Sequence, residues 1–203
     1  MTTAQKLTDR KREAILQAAI TEFRSNGFEA TSMDKIAASA EVSKRTVYNH
    51  FPSKDDLFAA ILQQLWECTA AVADTPYRKD VPLRSQLLEM MQQKMRMLSD
   101  ASFMNLARVV IAEGIHSPQR AQDMIARIGK REEGVATWIR AAQQDGKLKP
   151  ADPEFAAQLL QGQLKLFAFW PQLAMGQAPL PDAEQAMIAQ TAVEMFLAYF
   201  ERQ

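Results

Sequence analysis

The sequence predicts an all-α protein. Apolar residues recur at helical spacing almost throughout, few runs alternate with the period of two that strands require, and β-branched residues are scattered. Helix-capping residues and Pro or Gly breaks divide the periodic stretches at regular intervals. With 203 residues, 47% of them hydrophobic and 24% charged, the chain is large enough for one compact helical unit or a small head and a larger body.

The first helix is expected to start after Thr8 or Asp9 and to run to Asn26, with Ala14, Ile15, Ala18, Ala19 and Phe23 as its apolar stripe. Asn26-Gly27 supplies the stop. Ser32 then caps a short helix through Ala40, with Ile36 and Ala37 inward, and Ser43 caps another through His50. Ser53 with Asp56 three residues later forms a capping pair for a longer helix reaching Val72. Thr75 to Pro82 is polar, carries two prolines and is the best compositional break in the chain. Beyond it the periodicity predicts helices over 83–98, 101–116, 119–144, 153–175 and 182–201. As functional domains we expect 1–53 to form an N-terminal three-helix head and 54–203 a C-terminal helical body.

Lys and Arg together number 24, matched by 24 Asp and Glu, so the net charge is zero, but the charges are unevenly spread. Up to Lys54 there are nine basic and six acidic residues, a net of +3, and the remainder carries −3. A basic head on an acidic body favours a polyanionic partner for the head. Cys68 is the one cysteine, which fits a reducing compartment. The polar start from Met1 to Arg12 is unlike a secretory signal. The longest uncharged stretch, Leu166 to Pro181, is broken by Pro171, Gly176 and Pro179 and makes a poor membrane span. The expected location is the cytoplasm.

Two short capped helices joined by Glu41-Val42-Ser43, behind a longer supporting helix, make the pattern of a helix-turn-helix. In that motif the second short helix enters the major groove with its N-terminal residues leading. Here it reads Lys44-Arg45-Thr46-Val47-Tyr48-Asn49-His50. Val47 and Phe51, four apart, are expected to pack inward with Val42, leaving the others outward or sideways. Those side chains match the chemistry of base edges: Arg and Lys donate to guanine, Asn pairs with adenine, and a threonine methyl meets that of thymine. Thr31 and Ser32 at one helix start, and Lys54 at another, suit phosphates, which set register without reading sequence. Lys11 and Arg12 are placed to form a basic arm. Taken singly, each of these residues is more often a solvated or structural side chain; the ordered constellation carries the argument.

Gly27-Phe28, Thr31, Ile36-Ala37, Val42-Ser43, Thr46-Val47-Tyr48-Asn49-His50-Phe51 and Ser53-Lys54-Asp55-Asp56-Leu57 closely resemble the DNA-binding domain of the TetR family of regulators over residues 10–60. The resemblance implies an all-helical homodimer, most often a repressor. It places recognition-helix contacts on Lys44, Arg45, Thr46, Tyr48 and His50, and phosphate contacts on Thr31, Ser32 and Lys54. Asn49 joins them on chemistry alone. One residue departs from the family pattern: Glu41 stands where the family has glycine in the turn. A left-handed backbone there costs a residue with a Cβ on the order of 1 kcal/mol. Arg108 to Glu113 with Pro118, Ala141 to Leu148 with Gly146, and Asp152-Pro153 with Ala156-Ala157 resemble the AefR-like class of TetR C-terminal domains over about 83–175.

The last two helices are apolar around much of their circumference, through Leu159, Leu160, Leu164, Leu166, Phe167, Phe169 and Trp170, then Met187, Ile188, Met195, Phe196, Tyr199 and Phe200. Such helices are buried on more than one side, which we read as a seam between two copies; a single monomeric core is the alternative. Eleven methionines and three tryptophans are compatible with an adaptable apolar cavity for a small, largely apolar effector. Its candidate lining is Trp66, Phe103, Met104, Arg108, Trp138, Phe167 and Trp170, although a Met or aromatic stripe is more often plain core. Arg108 and His116 are polar anchors for an anionic effector, or Arg108 forms a structural ion pair with Glu113.

An enzyme is the rival class. His50 and His116 lie far apart, Cys68 has no histidine near it, and no glycine-rich phosphate loop or metal-spaced His/Cys cluster is present. No catalytic residue, metal or cofactor is therefore expected. A scaffold binding proteins through its head would expose aromatic or aliphatic anchors rather than a basic helix. The expected partners are double-stranded operator DNA, a second copy of the chain and a small effector. A regulator that activates, or that has no effector, is the alternative within the class.

Overall fold

The structure, a computed structural model, describes residues 3–73, 75–128 and 134–202. Eleven helices are found among them: α1 (Thr3–Asn26), α2 (Met33–Ser39), α3 (Lys44–His50), α4 (Lys54–Ala73), α5 (Leu83–Leu98), α6 (Ala101–His116), α7 (Pro118–Ile128), α8 (Gly134–Gln144), α9 (Pro153–Ala168), α10 (Trp170–Met175) and α11 (Asp182–Phe200). The described residues contain no strand; a single bridge pairs Leu148 with Glu201. The all-α expectation is met, and α5 and α6 have the bounds read from periodicity.

Boundaries depart by more than a residue at two places, the start of α1 and the stretch 153–175. α1 starts at Thr3, ahead of Thr8 and Asp9, because Ala4 to Leu7 contain no helix breaker and are mostly good helix formers. Of the helix expected over 119–144 the described parts are α7 and α8, the first starting at Pro118, a first-turn position that needs no amide proton. Residues 129–133 of that expected helix lie outside the described residues. The helix expected over 153–175 breaks at Phe169, where φ is −106° and ψ −60°. Pro171 is the cause: it offers no N–H to the carbonyl four residues back and its ring crowds that carbonyl.

By packing, the chain forms two compact units, Met1–Trp66 with Asn105–Lys130, and Glu67–Met104 with Arg131–Gln203. In the first, α2 packs on α1 and α3. Ile15, Ala19, Ile36, Val47, Leu57 and Ile61 have no exposed surface. Phe23, Phe28 and Phe58 form an aromatic cluster with centroids 5.2–6.5 Å apart. Gly27 closes α1 at φ +79°, a left-handed backbone that glycine adopts without a Cβ penalty, and its N–H reaches the Phe23 carbonyl at 2.9 Å.

In the second unit α9 packs against α5, α8, α10 and α11, and α5 against α11. Leu87, Met90, Met91, Met95, Trp138, Ile139, Leu160, Leu164 and Val193 fill its interior. The segment after α8 is tied to the end of α11 by Lys149 N–H to Phe200 O (2.7 Å) and Arg202 N–H to Lys147 O (3.0 Å). Gln86, wholly buried, organises the chain ahead of α5. Its amide nitrogen donates to Arg78 O (2.8 Å) and Val81 O (2.7 Å), and its oxygen accepts from Arg78 N (2.8 Å) and Trp138 Nε1 (3.2 Å).

Candidate nucleic-acid interface

α2 and α3 are each only seven residues long, too short to persist alone, so caps and packing hold them. Ser32 Oγ accepts from Lys35 N at 3.2 Å, and Ser43 Oγ accepts from Thr46 N at 3.2 Å while lying 2.8 Å from Thr46 Oγ1. Between the helices the chain makes a Schellman turn: Glu41 N–H reaches Ala38 O (3.2 Å) and Val42 N–H reaches Ala37 O (3.0 Å). The left-handed position of that turn is Glu41, at φ +53°. The departure noted in the sequence thus falls on the residue of this turn whose backbone favours glycine.

Val47 and Phe51 point inward, and Val42 is half-buried. On the other side of α3, Lys44, Arg45, Tyr48 and Asn49 are exposed, Tyr48 to 49%, while Thr46 and His50 are half-buried. Lys44 pairs with Asp34 at 2.5 Å, but both side chains are more than half exposed, so the pair is weak and easily exchanged for a phosphate. Arg12 stacks 5.0 Å from the centre of the Phe51 ring.

Ser32 is exposed at its helix start, but Thr31 and Lys54 are engaged elsewhere. Thr31 is 2% exposed and its hydroxyl is shared between Gly27 O (2.8 Å) and Glu22 O (3.2 Å). Lys54 Nζ donates to Phe28 O (2.6 Å), Glu29 O (3.2 Å) and Thr31 O (3.1 Å), and lies 4.4 Å from the centre of the Phe28 ring. All three of its protons have carbonyl partners within the chain. No local pattern could have shown this, since the partners lie 23–26 residues upstream.

Arg120 on α7, which the sequence did not single out, joins the same turn. Its Nη1 meets Glu113 at 2.6 Å, its Nη2 meets Glu29 at 2.7 Å, and its Nε lies 3.9 Å from Asp55. The hydrogen bond from Arg120, and then its charge, holds the Glu29 carboxyl below its ordinary range.

The residues considered for an effector fall in both units. Trp66 is half-buried on α4, and Arg108 on α6 places Nη1 3.3 Å from Asn105 Oδ1. Glu113 receives Arg120, as above. Phe103 and Met104 are buried, and Trp138 is buried, bonded to Gln86 and T-shaped to the Tyr77 ring with centroids 5.5 Å apart. Phe167 and Trp170 are about half exposed on the second unit. A surface groove of about 360 Å³ in that unit is lined by other residues, among them Tyr77, Lys79, Arg84 and Lys147. Burial, followed by the bond to Asp145 at 2.7 Å, pushes the Tyr77 hydroxyl up to about 12. Among the described residues, no three His, Cys, Asp or Glu are grouped to hold a metal, and no helix is long and apolar enough to cross a membrane.

A capped helix, a tight turn and a second capped helix with a basic outer face define a helix-turn-helix DNA-binding regulator. The comparisons agree. Residues 15–61 match the model for bacterial regulatory proteins of the tetR family, and residues 85–202 match that for the C-terminal domain of AefR-like transcriptional repressors. The chain belongs to the TetR family of DNA-binding transcriptional regulators, which are not enzymes. It is 29% identical to the HTH-type transcriptional regulator RutR of Escherichia coli K12, over 85% of this chain and 81% of that protein. A TetR family regulator from Pseudomonas syringae pv. tomato DC3000 superposes with a TM-score of 0.84 at 56% identity, covering 96% of this chain and 99% of that one. The flavonoid-responsive regulator FrrA superposes at 0.69 with 27% identity, over 96% and 99%.

Proposed function

We propose that the protein is a cytoplasmic homodimeric repressor that leaves a near-palindromic operator when a small, largely apolar effector binds. The observation that carries this reading is the outer face of α3, where Lys44, Arg45, Tyr48 and Asn49 are exposed on a helix anchored by Val47 and Phe51. In this reading those four, with Thr46 and His50, meet base edges and flanking phosphates, and Ser32 meets a phosphate. Thr31 and Lys54 complete the phosphate set, each giving up an internal hydrogen bond as it does so. Residues 1–53 act as the DNA-binding domain and 54–203 as the effector-binding and dimerisation domain.

Support for the dimer comes from the second unit. Phe155, Leu159, Leu166 and Trp170 follow one another at helical spacing on and just beyond α9, and all are exposed; Met187, Met195 and Tyr199 are exposed on α11. So many large apolar side chains on two adjoining helices favour a second copy as their cover. A two-fold pair sets two recognition helices about 34–36 Å apart, one turn of DNA. Support for the effector is the relative described as flavonoid-responsive together with the apolar residues Trp66, Phe103, Met104, Trp138, Phe167 and Trp170, with Arg108 as polar anchor. The effector acts by binding better to the state whose heads no longer match the operator, with α4 as the lever.

The test is a titration of the full chain against the DNA flanking its own coding region, at two salt concentrations and with competitor DNA present. Tight, salt-sensitive binding to a near-palindrome is expected. Equal weak binding to every duplex, including those selected from a random library, would refute the reading.

A further inference from the structure

Residues 28–31, the turn that leads from α1 into the Ser32 cap of α2, are held by two cations from elsewhere in the first unit. Lys54 holds the main chain through the carbonyls of Phe28, Glu29 and Thr31. Arg120 holds the side chains: its guanidinium carbon lies 4.4 Å from the centre of the Phe28 ring and its Nη2 meets the Glu29 carboxylate. The other end of the same fork is fixed. Glu113 on α6 is only 5% exposed, and a carboxylate taken that far out of water requires a cation; Arg120 Nη1 supplies it at 2.6 Å. The third nitrogen, Nε, faces Asp55 in the first turn of α4. A planar five-donor group is suited to such a junction, where a lysine would supply one point charge.

We propose that Arg120 is a positioning residue for DNA binding, the junction through which α6 and α7 set the orientation of α2 and α3. The inference rests on the DNA-binding reading of α3 given above. None of the residues Arg120 touches is among those assigned to bases or phosphates, so its effect on operator affinity must pass through the turn. Displacing α6 by the Glu113 carboxylate pulls on Arg120 and therefore on Glu29 and Phe28, the fourth and fifth residues ahead of the start of α2. A shift of Arg120 away from Glu29 leaves the turn to Lys54, which holds its main chain and the Phe28 ring but not the Glu29 carboxylate.

The experiment uses the full chain and the duplex that the wild type selects from a random-sequence library, with an unrelated duplex as competitor. Arg120→Gln, Glu29→Gln and the double variant are compared in affinity for both duplexes, and folding is checked by circular dichroism and urea titration. Arg120→Gln is expected to lose roughly tenfold in affinity for the selected duplex, with the unrelated duplex bound as by wild type within about twofold. The double variant is expected to be no weaker than Arg120→Gln, because both changes open one contact. Equal losses on both duplexes, additive effects, or wild-type affinity in folded Arg120→Gln would overturn the proposal. Should Arg120→Gln fail to fold because Glu113 is left unpaired, Glu29→Gln decides alone, since it leaves that pair intact. Weaker binding to the selected duplex then supports the junction, and unchanged or tighter binding to both duplexes removes it. Selection of no duplex by the wild type would instead sink the DNA-binding reading itself, and this inference with it.

Discussion

The two units hold their irregular segments by different chemistry. In the first, the turn before α2 is tied by charges: Lys54 on three carbonyls, and Arg120 on Glu29, Glu113 and Asp55. In the second, Arg78 pairs with Glu89 and Lys79 with Asp145 on the segment before α5, but its buried tie is one neutral amide, Gln86, with no exposed surface and saturated with four hydrogen bonds. The charged ties whose carboxylates are exposed, Arg120 to Glu29 and to Asp55, are exchangeable, since water or a phosphate can replace the partner at small cost, whereas the pair with buried Glu113 is the fixed end of the same fork. A buried amide with all its partners in place is not, because each broken bond leaves a polar group in an apolar interior. The difference assigns adaptability to the unit that carries α3 and rigidity to the one that carries α9 and α11.

Replacing Gln86 breaks that rigidity most directly. Gln86→Leu keeps similar volume but takes the partner from Arg78 N, Val81 O and Trp138 Nε1, while Arg78 O keeps the Val81 N–H. At about 1–3 kcal/mol for each group that water cannot reach, the loss should be roughly 3–5 kcal/mol, read as a lower urea midpoint. A loss below about 1 kcal/mol would show that the segment before α5 has other support. Next in size is the proposed seam. Leu166→Glu places a charge where α9 is 61% exposed in the single chain, so the isolated chain should keep its helicity and stability. Dimerisation should weaken by at least about 2 kcal/mol, the scale of a central interface residue, visible in sedimentation. An unchanged dimer would move the interface off α9.

What was legible in the sequence follows the same division. The ends of α2 and α3 were marked by Ser32 and Ser43, and that of α4 by Ser53 with Asp56, whose side chains bond at 2.6 Å. These signals work over three residues, so one sequence suffices to read them. The outward set on α3 was legible too, because Val47 and Phe51 mark its inner face. Arg120 and Gln86 were not. Their partners lie up to 91 and 52 residues away, and nothing in Pro118-Gln119-Arg120 or Ser85-Gln86-Leu87 announces them. Phe167 and Trp170 show a further limit: apolarity reveals that a side chain is to be covered, but not whether by its own core, an effector or another chain. Pro171 did carry its signal, and the break at Phe169 follows from weighing it above the continuing apolar stripe.

Smaller effects sharpen the contrast at single side chains. Tyr48→Ala should weaken binding to the selected duplex by about 1–2 kcal/mol while the unfolding midpoint stays put, since half the ring is already in water. A fall in both would assign Tyr48 to the packing of the first unit. In the second unit Tyr77→Phe removes the bond to Asp145 and should cost about 1 kcal/mol. The pH dependence has a definite sign. The folded state raises the Tyr77 hydroxyl from its ordinary 10 to about 12, so its contribution is complete below 10 and is lost as pH rises through 12. Asp145 is held low, first by the Tyr77 hydrogen bond, so its contribution is present above the ordinary carboxylate range and lost on acidification. Tyr77→Phe should flatten stability at the alkaline end.

The smallest expected effect is a gain, at Glu41. A left-handed backbone costs a residue with a Cβ about 1–2 kcal/mol, and glycine avoids that at an unfolded-state entropy cost of about 0.5–1 kcal/mol. Glu41→Gly should therefore raise stability by about 0.5 kcal/mol, seen as a higher urea midpoint at unchanged slope. Glu41→Ala separates backbone from side chain: it keeps the Cβ in the left-handed turn while removing the carboxylate. Stability unchanged by alanine and raised by glycine would locate the strain at φ +53° of this turn. A gain from alanine as large as that from glycine would instead trace the cost to the carboxylate.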